Sequence, residues 1–278
     1  MSHPFSHLLL ATEHTEFDRG AEALAFALAR RWCLPLAAVL PLASNPEYEA
    51  VAPEVAARAD AQAGVQRQAL EALARAEGVA FDIRVRRGPD LHAQIVDEAR
   101  ERGSDLIVIR RRGKRGLLAN LLVGDMVRKV ITQSPCGVLV VPEAAQLWRS
   151  AVMVGVDAQQ PAERGVARAA ALAAWFGLPL WLVAVVADEG ARARSEPVLD
   201  GALAAARAVH GDSQALLRVG RAAETLIDVA HECGADLLVL GRSGSPSRVG
   251  IGSTAHKVVG NAACPVLVHV DGTESSAR

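Results

Sequence analysis

Aromatic residues are scarce in this chain: Phe, Trp and Tyr make up 4% of its 278 residues. Its interior must be built from Ala, Leu and Val. Cysteine is nearly absent. The four present are Cys33, Cys136, Cys233 and Cys264, and none forms a Cys-x-x-Cys pair or has histidines at zinc-finger spacing. That argues against a disulfide framework and a structural zinc, and it points to small reduced thiols used in packing. Long apolar runs are missing too. Nothing approaches the stretch of about 18 residues that a membrane-spanning helix needs. The N-terminus, Met-Ser-His-Pro-Phe-Ser-His, lacks the basic and apolar regions of a secretion signal. A cytoplasmic protein is the expectation. A net charge of −1 leaves no bulk attraction to nucleic acid or to an anionic membrane. The local exception is Arg110 to Arg115, where five of six residues are basic.

The chain is one unit written twice. Asp105-Leu-Ile-Val-Ile109 runs into Arg110, and Asp236-Leu-Leu-Val-Leu240 runs into Gly241. Val138-Leu-Val-Val141 returns as Val266-Leu-Val268, and Leu34-Pro-Leu36 returns as Leu178-Pro-Leu180. A repeat of this length is a domain, because each copy can close its own core. Domains are expected at 1–142 and 151–271.

Within each copy, short apolar runs alternate with helical patterns. Ala21, Leu24, Ala25, Leu28 and Ala29 share one face of a helix. Strands apolar on both faces, alternating with helices, predict parallel sheets covered on both sides. Each domain is expected to be an open α/β unit with about five parallel strands. In such sheets the ligand crevice lies beyond the carboxyl ends of the strands, where strand order reverses. In the second copy Asp157 and the segment Gly241 to Thr254 should meet there. The last strands, Val138–Val141 and Val266–Val270, are expected to pair with each other rather than remain bare edges, giving an intramolecular pseudo-dimer.

An acidic residue after the first strand, Gly-x-x-Gly after the fourth and Gly-Ser opening the last helix together resemble the universal stress proteins in their tandem two-domain form. The resemblance runs from Leu8 to Val270. It implies an α/β fold of the adenine-nucleotide, Rossmann-like type, and a stress-response role. Some members bind ATP through Gly-x2-Gly-x9-Gly-Ser/Thr, and others lack the signature and bind none. Here the second copy reads Gly241-x2-Gly244-x7-Gly252-Ser253-Thr254, two residues short. By resemblance, Asp157 and Val185 lie near the nucleoside, and Arg248 reaches a phosphate. Free amides at Gly252, Ser253 and Thr254 would face that phosphate at a helix N-terminus. The implied ligand is ATP or another adenine nucleotide, with Mg accompanying it. Gly-x-x-Gly is also an ordinary tight turn, and Ser253 an ordinary helix cap.

In the first copy the same positions read Arg110-x2-Gly113-x10-Gly124-Asp125. Arg110 brings bulk where the second copy has glycine. Asp125 brings negative charge where a phosphate would lie, and it reads as a helix N-cap. ATP is not expected there. The basic run that follows suits a solvated loop, another anion or an acidic partner. No nucleophile elbow, metal-spaced histidine pair or standard dinucleotide loop is present. Three functions therefore compete: a nucleotide-binding stress protein acting through conformation or protein partners, a nucleotide-independent interaction module, and a slow ATP-hydrolysing enzyme. A homodimer is compatible with each.

Overall fold

The structure is a computed structural model and describes residues 3–111, 124–157, 163–242 and 250–270. Gly113, Gly244, Arg248 and most of the basic run after Arg110 lie outside the described residues. The chain divides into two compact units. One comprises Phe5–Arg112 and Asp125–Leu147. The other is built chiefly on Trp148–Arg278, joined by residues 3 and 4.

The first unit alternates strands β1 (Leu8–Ala11), β2 (Leu36–Ala43), β3 (Phe81–Gly88), β4 (Leu106–Arg110) and β5 (Gly137–Val141) with helices α1 (Arg19–Trp32), α2 (Pro46–Val51), α3 (Pro53–Glu77), α4 (Leu91–Glu101) and α5 (Asp125–Gln133). Its strands are parallel in the order β3-β2-β1-β4-β5. Strand order reverses between β1 and β4. Helices α1 and α3 contact each other, as do α4 and α5, so two layers flank the sheet. Strands β1, β4 and β5 are buried throughout.

Edge strand β3 differs, because its alternate residues meet different layers. Phe81 and Ile83 pack with Leu40, Ala63 and Leu70 on the α3 side. Arg84 and Arg86 face Glu98 and Glu101 of α4. Glu98 is 0% exposed, and Arg86 and Arg102 both donate to it. Asp82 completes the group, 2.7 Å from Arg102.

Strand β2 runs through Pro41 to Ala43, where the sequence pattern predicts a loop. Strand β1 explains this. It pairs with β2 only as far as Val39, so Pro41 lacks an N–H where no ladder needs one. Gln94 of α4 ties this end of β2 to β3, donating also to the Gly88 carbonyl at 3.0 Å. Its side chain accepts from the Leu42 amide at 3.2 Å and donates to the Leu42 carbonyl at 3.1 Å.

The second unit repeats the plan. Strands β6 (Val152–Val156), β7 (Leu180–Val186), β8 (Ser213–Val219), β9 (Leu237–Gly241) and β10 (Val266–His269) alternate with helices α6 (Glu163–Phe176), α7 (Arg192–Val209), α8 (Ala222–Glu232) and α9 (Ser253–Asn261). The order is β8-β7-β6-β9-β10, again parallel, with the reversal between β6 and β9. Helix α7 begins earlier than the sequence pattern predicts and holds Pro197 within it. Among the described residues no helix is long and apolar enough to cross a membrane.

Candidate functional site

Both strand-order reversals open a crevice at the carboxyl ends of two neighbouring strands. In the second unit these are β6 and β9. Val154 of β6 stands opposite Val239 of β9, and continuing that register brings Val156 level with Gly241. Asp157, half-buried, is the next residue. Gly241 ends β9, exposed and opposite His269 of β10. The register thus places these two residues at neighbouring strand ends. Val185 is half-buried in β7, opposite Arg218 of β8. Gly244 and Arg248 fall outside the described residues.

The loop leaving β9 is closed at its base. The Arg242 amide donates to the His269 carbonyl at 3.0 Å, and the Gly252 amide donates to the Arg242 carbonyl at 2.8 Å. Two expectations change as a result. The Gly252 amide is engaged and is not available to a phosphate. The cap of α9 is Gly252, not Ser253, and no side chain caps the helix. Ser253, exposed, and Thr254, half-buried, are the first two helical residues. Their amides precede the first intrahelical bond, from the His256 amide to the Gly252 carbonyl at 2.9 Å. This helix start carries two hydroxyls, two amides ahead of the first intrahelical bond and the positive end of the dipole. Such a start is suited to an anion.

The first unit's crevice is filled from within. Arg110 ends β4 and is 3% exposed. It donates to Asp18 and to the Thr15 hydroxyl, each at 2.6 Å, and also to Glu13. Glu13 and Thr15 lie in the loop after β1, and Asp18 ends the short 3-10 turn that follows. Beneath this loop, buried Glu22 of α1 accepts from Thr12 at 2.6 Å and lies 3.0 Å from the His14 ring. Asp125 is the first residue of α5, not its cap. It pairs with Arg128 at 2.6 Å and Lys129 at 3.0 Å. Hydrogen bonds from these two cations hold its carboxyl below the ordinary range.

Sequence reasoning identified Arg110 as bulk but missed its partners Thr15 and Asp18. They sit 95 and 92 positions away, and no local spacing reveals them. The Glu98 cluster was also missed, though the i,i+4 spacing of Glu98 and Arg102 was a usable signal.

Among the described residues no cluster of three acidic, His or Cys groups could hold a metal. None of the four cysteines is in a disulfide. Burial pushes the Cys136 thiol up to about 11, against a smaller opposing hydrogen bond with Ser134. It is a packing residue rather than a nucleophile.

The model of the universal stress protein family matches residues 4–142 and again 149–269. The chain belongs to the universal stress protein family. A universal stress protein from Archaeoglobus fulgidus DSM 4304 superposes with a TM-score of 0.70 at 17% identity, over 98% of both chains. A putative universal stress protein from Pseudomonas aeruginosa UCBPP-PA14 gives 0.67 at 18% identity, over 96% of this chain and 94% of that one. A universal stress protein from Archaeoglobus fulgidus, solved in complex with dAMP, aligns with 45% of this chain and 99% of its own, at 22% identity and a TM-score of 0.38. No curated protein matches the sequence. The tandem universal stress protein architecture, with two Rossmann-like halves, is thereby established.

Proposed function

We propose that this tandem universal stress protein binds an adenine nucleotide, ATP foremost, in its second domain and acts through conformation or a protein partner in a cytoplasmic stress response. The observation that carries this reading is the start of α9. There Ser253, exposed, and Thr254, half-buried, open a helix that no side chain caps at the end of a closed loop, while the matching place in the first unit carries Asp125. Residues 1–142 and 151–271 serve as the two domains in this reading. Asp157 and Val185 contact the nucleoside, Gly241 and Gly244 allow close approach of the phosphates, and Arg248 supplies a cation. Magnesium would ride on the phosphates.

Ser253→Asp tests the reading with effects of opposite sign. It copies Asp125 of the first unit. A carboxylate in the first turn should stabilise α9 by about 0.3–1 kcal/mol. The same charge should repel a phosphate and remove one charge-assisted hydrogen bond, weakening ATP binding by about 1.5–3 kcal/mol, or tenfold to a hundredfold. Calorimetric titration of wild type and variant with ATP, beside their melting temperatures, measures both effects. Equal affinities would move the site away from α9. Absence of binding in both proteins would favour the nucleotide-independent interaction module. Turnover of excess ATP with magnesium would point to the enzyme.

A further inference from the structure

Among the described residues Arg110 is the only buried cationic one. A charge is expensive to bury unless it is paired and hydrogen-bonded. Here the guanidinium fork is spread over two carboxylates, Glu13 and Asp18, and the Thr15 hydroxyl. All three belong to the segment after β1, whereas Arg110 ends β4. The pairing therefore bridges the two strand ends between which the first crevice opens. The segment is further tied down by Thr15 and Asp18. The Thr15 amide donates to the Asp18 carboxylate at 2.9 Å, and the Asp18 amide donates to the Thr15 carbonyl at 3.0 Å.

We propose that Arg110 is a built-in occupant of the first crevice. Its side chain fills the place a ligand would take and, together with the charge of Asp125 at the start of α5, keeps a nucleotide out. Gly241, its counterpart in β9, brings no such side chain to the second crevice. Arg110 thus takes part in setting which domain responds to nucleotide. The proposal rests on the reading above only in naming the excluded ligand.

The test uses the full chain. In Arg110→Met the amides of Thr15 and Asp18 should exchange with deuterium about tenfold faster or more. Those of Ile107 to Ile109, inside β4, should be unchanged. Arg110→Gly leaves two carboxylates and a hole shaped for a guanidinium. Millimolar guanidinium chloride should restore slow exchange at Thr15 and Asp18 in that variant, and sodium chloride at the same ionic strength should not. Arg110→Lys, which keeps a cation, should fall between wild type and Arg110→Met. The double variant Arg110→Gly/Asp125→Ser should take up one more equivalent of ATP than wild type. Unchanged exchange in Arg110→Met, or no added equivalent in the double variant, would overturn the proposal. A wild type that binds none beside a double variant that binds one would sustain it and remove the second-domain reading instead.

Discussion

Glu98→Ala is expected to destabilise the first unit by about 3–5 kcal/mol, the cost of breaking a buried charge group from one side. Glu98 is fully buried and is the common acceptor of Arg86 and Arg102, with Arg84 3.6 Å away. Its removal leaves cations from β3 and the end of α4 facing one another. Glu101 and Asp82 are too exposed to replace it. The effect has a pH signature. Burial alone would raise the Glu98 carboxyl, but hydrogen bonds from Arg102 and Arg86 and their charge outweigh it and hold it below the ordinary carboxylate range. A carboxylate depressed in the folded state adds stability above its unfolded value, near pH 4.3. That stability is lost as pH falls through the folded value. Urea denaturation should therefore show a wide gap between wild type and Glu98→Ala at neutral pH. The gap should narrow in acid. A gap that stays constant with pH would mean that the carboxylate's charge contributes nothing.

Gly20→Ala should lower stability by roughly 1–3 kcal/mol or more through overpacking. Alanine is ordinarily the better helix residue by about 1 kcal/mol. Here its Cβ would stand 2.3 Å from the Pro142 carbonyl oxygen and 2.5 Å from that of Glu143. Both are backbone atoms and cannot swing aside. Helix α1 would have to move off the chain that leaves β5. Gly64, inside α3, is the matched control, since a Cβ there meets nothing within 4 Å. Gly64→Ala should stabilise by about 0.5–1 kcal/mol. Denaturation of both variants decides whether close backbone approach at Gly20 outweighs helix propensity; a Gly20→Ala protein as stable as wild type would show that it does not.

These two positions show what the sequence could reveal and what it could not. The repeat, the parallel sheets and the crevice at the strand ends follow from apolar runs alternating with helical patterns. That periodicity is local, so it survives reading along the chain. Gly20 looks like any glycine near a helix start, because its partners are more than a hundred positions away. Arg110 reads as a bulky residue in a basic run, and only the fold turns it toward Glu13, Thr15 and Asp18. Helix caps failed for a smaller reason. Ser253 and Asp125 have the right chemistry for a cap, but each helix begins one residue earlier than that role requires. Helix α2 lies in a stretch where Pro41, Asn45, Pro46 and Pro53 mark a loop to a reader of the sequence.

The backbone pair that closes the loop after β9 has an evolutionary consequence. A chain that enters at Arg242 and returns at Gly252 presents α9 in the same place whatever lies between. Doubling a loop's length costs only about 0.6 kcal/mol. Insertions and deletions between those two residues can therefore accumulate while the helix start stays in register with β9. Placement of the helix start and length of the loop are thus separately adjustable, and the loop can shorten without displacing the helix end it leads to.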